Sequence, residues 1–378
     1  MNLPDDDAYA DAFREIFARI LTGYPTSEPV GITLTSGMDS TTVAAMLRLS
    51  SPNLQMTAFS WVAPEIPKSD EGPATALVAE RLECPMVPIY ADQHWPLRRE
   101  PSIRPSRASP AFLYYTDLWE ETFDTVRDQG IRHLFSGVSG DHLFGGNVYS
   151  YADLLLTGRW TRLMRDLQFH LGFTQIGARG ILRKMILGPL VRSVLINSKP
   201  WPAVPWLNPQ YETLRQHPVS GPRNLLPGRR QRLDLLRDPL LPQVICLINE
   251  LAEKHGITVL HPLLDHRLIE FAASLPTEQT FSAGVRKVIL RRAMRGLLPD
   301  STLDRREKIY PNGIAERGLR ERETAKAWAL MTNMRAAEMG FVNEARLREE
   351  YQRYLDGKTQ SALFWHTLTL EAWLRLYF

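Results

Sequence analysis

The sequence has few of the features that mark disulfide-stabilised, zinc-binding or nucleic-acid-binding proteins. Only two of its 378 residues are cysteines, and their separation argues against both a disulfide framework and a cysteine-based sulfur-transfer site. Its histidines do not have the spacing of zinc ligands. A net charge of +3 is too small to indicate a nucleic-acid or membrane partner by itself.

Long apolar runs and targeting segments are lacking too. The most apolar stretch runs from Met185 to Ile196 and is interrupted by Arg192, so it is much shorter than the roughly 20 residues of a membrane span. The N-terminal segment is acidic and polar, unlike a signal peptide. These absences, with an ordinary hydrophobic content, predict a soluble cytoplasmic protein without a membrane or nucleic-acid partner.

Strand-like and helix-like segments alternate over the first 150 residues. The predicted strands are Val30–Leu34, Gln55–Trp61, Met86–Tyr90 and Ile131–Phe135. The predicted helices are Ala8–Leu21, Ser40–Leu49, Ala74–Leu82 and Tyr114–Gln129. This alternation predicts an α/β fold with a doubly wound parallel sheet, which binds ligands at the carboxyl ends of its strands. Beyond residue 150 helical patterns dominate, so the C-terminal half is expected to be largely helical.

The turn after the first predicted strand has the composition of an anion-binding site. It reads TSGMDS over residues 35–40 and joins a buried strand to a helix. The hydroxyl groups of Thr35, Ser36 and Ser40 and the N–H groups at the helix start are donors to an anion. The carboxylate of Asp39 would repel a phosphate unless a divalent cation lay between them. The turn therefore predicts a site for the pyrophosphate end of ATP with Mg²⁺; the alternative is an ordinary turn with a helix-capping Ser or Thr.

A second small-residue turn follows the predicted strand at residues 131–135. It reads SGVSGDHLFGG over residues 136–146 and contains one aspartate, Asp141. Each of two strand ends in one parallel sheet thus carries one carboxylate. This pair predicts that Asp39 and Asp141 hold one Mg²⁺ from two sides.

The two turns resemble the SGGxDS and SGxGxDExFGG motifs of the synthetase domain of asparagine synthetase, an ATP pyrophosphatase. Further segments are similar to motifs of that family: HPLLDHRLIEFAASLP at 261–276, RKVILRRA at 286–293, RREK at 305–308 and the terminal helix at 364–375. The resemblance implies an ATP-pyrophosphatase fold of the adenine nucleotide α-hydrolase type. It also implies a ligase that converts a carboxylate into its AMP ester and passes the acyl group to an amine.

The resemblance implies roles for individual residues. Asp39 and Asp141 would hold Mg²⁺, and Lys287 and Lys308 match two lysines that stabilise the charge formed as pyrophosphate leaves. The residues implied for the pyrophosphate are Thr35, Ser36, Gly37 and Ser40. Those implied for adenosine are Thr33, Leu34, Phe59, Ser136 and Gly137. For either lysine the alternative is a solvated surface charge, whereas Asp265 is expected mainly to cap a helix.

One domain of three parts is expected. Residues 1–150 would form a nucleotide-binding α/β core, 151–240 a basic helical insert, and 241–378 a helical part that completes the active site. The middle part carries 14 Lys or Arg and 5 Asp or Glu. It is either a substrate-facing insert or a solvated helical surface, and the second interpretation is favoured because charge runs are usually solvated.

Three departures from the family pattern limit what the resemblance implies. Val138 stands where asparagine synthetases have glutamate and β-lactam synthetases have tyrosine, residues that assist proton transfer. His142 replaces the second acid of the family motif and is either a base near neutral pH or a packed structural histidine. Position 2 is Asn rather than the nucleophilic Cys of a glutaminase domain, and few residues precede the first turn. Nitrogen is therefore expected from a source other than glutamine hydrolysis by this chain.

Three segments resemble the lasso-peptide cyclases most: SGDHLF at 139–144, VLHPLLD at 259–265 and RGLRER at 317–322. Those enzymes adenylate an Asp or Glu side chain of a peptide, which the peptide's own N-terminal amine then attacks. In such a cyclase the attacking amine belongs to the bound peptide and has a large proximity advantage. A weaker or relocated base could then suffice, so a valine at position 138 fits a cyclase better than an ammonia-using enzyme. The favoured hypothesis is thus a peptide macrolactam cyclase using ATP and Mg²⁺. It leaves open whether a leader-binding protein or a protease is a further partner.

Other functions remain as alternatives. One is asparagine synthetase-like amidation of aspartate with ammonia from a separate source. Another is a non-catalytic ATP-binding partner subunit, although such a subunit would not need all of Asp39, Asp141, Lys287 and Lys308. A third is a tRNA-modifying ATP pyrophosphatase, which is expected to bring an RNA-binding appendage or catalytic cysteines that this sequence lacks.

Overall fold

A computed structural model of the chain describes residues 3–99, 110, 115–146, 148–173, 177–188, 190–191, 204–212, 225–238, 240–306 and 309–378. Lys308 and part of the apolar stretch at residues 185–196 lie outside these ranges. Among the described helices, none combines the length and apolar character that crossing a lipid bilayer requires.

A parallel five-stranded sheet forms the centre of the fold, with the strand order β3-β2-β1-β4-β5. The strands are β1 (Val30–Thr33), β2 (Met56–Val62), β3 (Met86–Tyr90), β4 (His133–Phe135) and β5 (Thr258–Leu260). The predicted α/β class is confirmed, and all four predicted strands are present. Since β1 lies between β2 and β4, the direction of winding reverses between β1 and β4. A crevice at the carboxyl ends of these two strands is where ligands bind in such sheets.

The fifth strand was not predicted. β5 has only three residues, too few for an alternating pattern to be recognised. It pairs with β4, and the Thr258 N–H donates a hydrogen bond of 2.8 Å to the carbonyl oxygen of Arg132. The sheet therefore takes one strand from the segment that we assigned to the helical third part of the chain.

Helices cover the sheet and make up most of the remaining described chain. The helices as far as residue 181 are α1 (Asp6–Leu21), α2 (Met38–Ser50), α3 (Gly72–Arg81), α4 (Thr116–Asp128), α5 (Gly140–Phe144), α6 (Tyr149–Leu156), α7 (Trp160–Phe173) and α8 (Ala178–Ile181). The next are α9 (Pro209–Glu212), α10 (Pro227–Leu236), α11 (Leu240–Lys254), α12 (His266–Ser274), α13 (Val288–Ala293), α14 (Asp300–Leu303) and α15 (Asn312–Glu316). The last are α16 (Thr324–Leu330), α17 (Arg335–Glu338), α18 (Glu344–Leu355) and α19 (Phe364–Tyr377).

Short elements complete the described chain. Segments of 3₁₀-helix lie at Pro67–Ser69, Ala91–Gln93, Pro262–Leu264 and Thr277–Gln279. π-Helical segments lie at Leu182–Leu187 and Arg317–Arg322. Strands β6 (Phe281–Ser282) and β7 (Val285–Arg286) form an antiparallel hairpin just before α13.

Apolar cores lie on both faces of the sheet. On one face α1, α2, α3, α12 and α13 bury side chains that include Phe13 and Phe17, one helical turn apart on α1. On the other face α4 and α11 bury Phe123 and Leu251. Fully burying one such side chain contributes about 1.5–3 kcal/mol to the free energy of unfolding. These cores hold the strand ends, and with them the crevice, in fixed positions.

Candidate active site

The two small-residue turns meet at the crevice between β1 and β4. Gly137 lies against the first turn of α2, where a Cβ atom on it would be 2.5 Å from the backbone nitrogen of Ser40. Gly140 lies against Asp39, and a Cβ atom on it would overlap the Asp39 carboxyl group and lie 2.6 Å from its Cβ. Both approaches require glycine because there is no room for a side chain. The turns are thus held together by backbone contact.

The crevice opens into a cavity of about 450 Å³. The predicted site residues that line it are Thr33, Leu34, Thr35, Ser36, Gly37, Asp39, Ser40, Phe59, Gly137, Asp141, His142 and Lys287. These residues come from β1 and β2, from the turns after β1 and β4, from the starts of α2 and α5, and from the segment before α13. The fold therefore brings nearly all of the predicted residues to one cavity.

Hydrogen bonds within the first turn fix its shape. The Thr35 N–H donates to Ser40 Oγ at 3.0 Å, and the Gly37 N–H donates to Thr35 Oγ1 at 3.1 Å. Gly37 is the N-cap residue of α2 and no side chain caps this helix. The alternative of a capping Ser or Thr is therefore not found, and the first-turn N–H groups are suited to bind an anion.

Lys287 lies between the two predicted metal ligands. Its Nζ is 2.6 Å from Asp39 Oδ2 and 2.8 Å from Asp141 Oδ1, and the residue is only 7% exposed. Its backbone is left-handed (φ 57°), and its N–H donates to the Thr280 carbonyl oxygen at 2.7 Å. A cationic group thus stands where the two carboxylates converge.

The carboxylate pair fits Mg²⁺ bound together with phosphates. The ammonium group of Lys287 already contacts both side chains, which shows that one cation reaches them together. The described residues contain no group of three or more His, Cys, Asp or Glu side chains that could hold a metal ion. Asp39 and Asp141 would therefore hold Mg²⁺ only with phosphate oxygens and water completing its shell, which is its usual binding mode at nucleotide sites. When bound, Mg²⁺ would neutralise charge on the phosphates.

Arginines add positive charge around the cavity. The lining includes Arg286, Arg291, Arg305 and Arg306. Arg286 donates from Nε to the Gly145 carbonyl oxygen at 2.9 Å, and its terminal nitrogen is 3.8 Å from Asp141. We did not single out these arginines as site residues, although all four lie in the quoted family segments. The role of Lys308 stays a prediction.

Comparison with known proteins identifies the family. The model of the asparagine synthase family matches residues 12–375. This chain belongs to the asparagine synthase family. A curated relative, asparagine synthetase [glutamine-hydrolyzing] 3 of Bacillus subtilis (strain 168), is 31% identical over 108 residues. That match covers 28% of this chain and 18% of the relative, so it spans much less than two thirds of the relative's length. The resemblance inferred from the motifs is confirmed.

Two tryptophans form an aromatic side of the cavity in this family member. The rings of Trp61 and Trp119 lie with centroids 5.1 Å apart at 73°, and Trp61 donates from Nε1 to Thr122 Oγ1 at 2.9 Å. Trp61 follows Phe59 by two residues on β2, and side chains two residues apart on a strand point to the same face. The predicted role of Phe59 could therefore have indicated Trp61 as a cavity residue. Trp119 lies on α4, in a segment with no motif, so no local signal pointed to it.

Val138 lines the cavity at the position where the family pattern predicts an acid. Its side chain has no group that transfers a proton. Glu71 also lines the cavity, and its Oε2 accepts a hydrogen bond of 3.3 Å from the Ser36 N–H. This glutamate belongs to no family motif in the sequence and was missed. His142 also lines the cavity, and its role as a base stays a prediction beside that of a packed structural histidine.

Ser136 is directed away from the cavity, unlike the other predicted adenosine residues. It is 1% exposed and is not among the cavity-lining residues. Its Oγ lies 2.7 Å from Nδ1 of His261, whose Nε2 lies 3.0 Å from Asn249 Oδ1. Burial lowers the pKa of His261 to about 4, so its imidazole is neutral near pH 7. Nε2–H then donates to Asn249 and Nδ1 accepts from Ser136. Ser136 thus anchors the second turn to β5 and α11.

The predicted structural role of Asp265 is confirmed. Asp265 is the N-cap residue of α12, and its Oδ1 accepts a hydrogen bond of 2.9 Å from the Arg267 N–H. The Arg267 guanidinium, which donates hydrogen bonds to this carboxylate, is the main cause of its lowered pKa. Asp265 therefore stays charged at the helix end, where the helix dipole favours a negative charge.

Proposed function

We propose that this protein is an ATP-dependent ligase that forms an amide bond through an acyl-adenylate. The observation that carries this proposal is the convergence of Asp39, Asp141 and Lys287 over the first turn, in a member of the asparagine synthase family. The carboxylates suit Mg²⁺ on a triphosphate, and the positive charges around them suit a departing pyrophosphate. The substrate carboxylate attacks the α-phosphorus of ATP, pyrophosphate leaves, and an amine then displaces AMP from the acyl group.

The carboxylate substrate that we favour is an Asp or Glu side chain within a peptide. Apolar and aromatic side chains line part of the cavity, namely Trp61, Trp119 and Val138. Free aspartate would bring an α-ammonium group, which needs an anionic partner when it leaves water. Among the described lining residues, the acidic side chains are Asp39, Asp141 and Glu71. The Glu71 carboxylate already accepts a hydrogen bond from the Ser36 N–H in the turn after β1. A peptide carries an amide at that point and needs no such partner.

The amine that we favour is the N-terminus of the same peptide, so that the product is a macrolactam. A captive amine that is held in the reacting geometry has an effective concentration that reaches about 10⁵ M or more. Such an advantage offsets the loss of a proton-transfer group at Val138. His142 at the cavity surface remains to accept the proton of the attacking amine. The resemblance of three segments to lasso-peptide cyclases supports the same choice.

Amidation of aspartate by ammonia is the second candidate. It is supported by family membership and by the name of the Bacillus subtilis relative, an asparagine synthetase. Val138 and the aromatic side of the cavity argue against it, since free ammonium must lose a proton before it attacks.

The test is to incubate the protein with Mg²⁺, ATP and linear peptides that carry one internal Asp or Glu, in parallel with aspartate plus ammonia. We expect AMP rather than ADP, and a peptide product that has lost one water. An N-terminally acetylated copy of each peptide is the control, because it can be activated but cannot cyclise. Asparagine formation without any peptide product would establish the second candidate, and ADP formation would contradict both.

A further inference from the structure

Lys287 already occupies the point where a metal ion would contact both aspartates. Its Nζ is within 2.8 Å of a carboxylate oxygen on each of them. A divalent cation bound between the same oxygens would lie within a few ångströms of the ammonium group, where two positive charges repel strongly. Metal and ammonium therefore cannot hold these positions together.

The ammonium group has little freedom to leave on its own. Lys287 is 7% exposed, and its backbone N–H is fixed by the hydrogen bond to the Thr280 carbonyl oxygen. A buried charge that leaves its partners must find new ones, because an uncompensated buried charge is costly. The phosphate oxygens of a nucleotide would supply such new partners in this cavity; a free metal ion would not.

We propose that Lys287 makes the Asp39–Asp141 pair specific for a metal–nucleotide complex and closes it to free divalent cations. This inference rests on the ATP site of the proposed function and assigns Lys287 a selecting role in addition to its role on pyrophosphate. With a triphosphate bound, the Lys287 ammonium group would leave the aspartates for phosphate oxygens, and Asp39 and Asp141 would then be open to the metal ion. Metal and nucleotide binding are then positively coupled, each raising the affinity of the other by the same factor.

The test uses Mn²⁺, whose free concentration is measured by electron paramagnetic resonance in the absence of nucleotide. We expect Lys287→Met to bind Mn²⁺ at least about tenfold more tightly than the wild type, because two like charges then need a counter-ion. The gain should disappear in the Lys287→Met/Asp39→Asn double variant. Arg286→Met is the matched control: it removes an equal charge 3.8 Å from Asp141 but keeps the Lys287 bridge, so its Mn²⁺ affinity should change less than about threefold.

A comparison without any Lys287 variant keeps the proposal testable if Lys287→Met does not fold. Nucleotide-free wild type and Asp39→Asn should bind Mn²⁺ equally weakly and should differ once α,β-methylene-ATP is added. Tighter Mn²⁺ binding by the nucleotide-free wild type than by Asp39→Asn would overturn the proposal, and so would equal Mn²⁺ affinities of the wild type and Lys287→Met. Failure of the ligase assay would leave these binding results unchanged, so the two proposals fail separately.

Discussion

Gly140→Ala is predicted to disable the metal site without adding or removing a charge. The new methyl carbon would overlap the Asp39 carboxyl group and lie 2.6 Å from Asp39 Cβ, whereas carbon atoms in contact lie about 3.5–4.0 Å apart. Asp39 or the second turn must therefore move by about 1 Å. Disturbing the groups that position a metal ligand costs about 10–100-fold in metal affinity, or about 1.4–2.7 kcal/mol. We expect the affinity for Mg²⁺ with α,β-methylene-ATP to fall by that factor.

The assay is isothermal titration calorimetry with that analogue, with thermal unfolding measured alongside. Overpacking of this kind costs about 1–3 kcal/mol of unfolding free energy, so the variant should still fold. Gly172→Ala is the matched control: Gly172 lies in α7, where a Cβ would meet nothing within 4 Å, so binding should not change. If Gly140→Ala binds the nucleotide like Gly172→Ala, then close contact between the turns does not position Asp39 and the reasoning is refuted.

Three further perturbations test other parts of the account. Asp141→Asn should weaken binding of α,β-methylene-ATP about tenfold or more in Mg²⁺ but much less in EDTA, because only a metal ligand is lost; equal losses in calorimetry would contradict a metal role. Burial lowers the pKa of His261 from 6.5 to about 4. As pH falls, the unfolded chain therefore binds a proton at this histidine before the folded chain does. The free energy of unfolding should decrease by about 3 kcal/mol between pH 6.5 and 4. Urea unfolding of wild type and His261→Gln at pH 7.5 and 4.5 isolates this loss, since the raised pKa of buried Asp153 acts equally in both proteins; parallel pH dependences would refute it. Phe13→Ala should lower the unfolding free energy by about 3–5 kcal/mol in urea, because Phe13 is fully buried and packs against Phe144 and Phe271, and a loss below 1 kcal/mol would contradict that packing.

Strong local patterns made much of the fold predictable. The strands β1 to β4 are apolar or β-branched runs, and the segments between them have the apolar spacing of helices. The turns after β1 and β4 each carry small residues and one aspartate. A parallel sheet places both turns at the same edge, so Asp39 and Asp141 could be paired from the sequence, and the pairing of β1 with β4 brings the turns together. β5 was missed because three residues are too few to show an alternating pattern. Its pairing with β4 is what identifies it as a strand.

Contacts between distant segments were the part that the sequence did not reveal. Lys287 was recognised from its motif, but its position between the aspartates depends on how the hairpin before α13 packs on the two turns. Trp119 on α4 and Glu71, the residue just before α3, reach the cavity from segments with no motif of their own. Ser136 matched an adenosine position by alignment, yet its hydroxyl group donates a hydrogen bond to His261, which directly follows β5, the strand that was missed. Side-chain direction thus depended on tertiary packing.

The proposed function depends on the activation of a carboxylate as its AMP ester. The most direct measurement is carboxylate-dependent exchange of labelled pyrophosphate into ATP in the presence of Mg²⁺, with free aspartate, free glutamate and peptides bearing an internal Asp or Glu. We expect exchange with a peptide, and we expect Asp39→Asn to abolish it. Absence of exchange with every carboxylate, while the protein still binds ATP with Mg²⁺, would contradict the claim and favour a non-catalytic ATP-binding subunit.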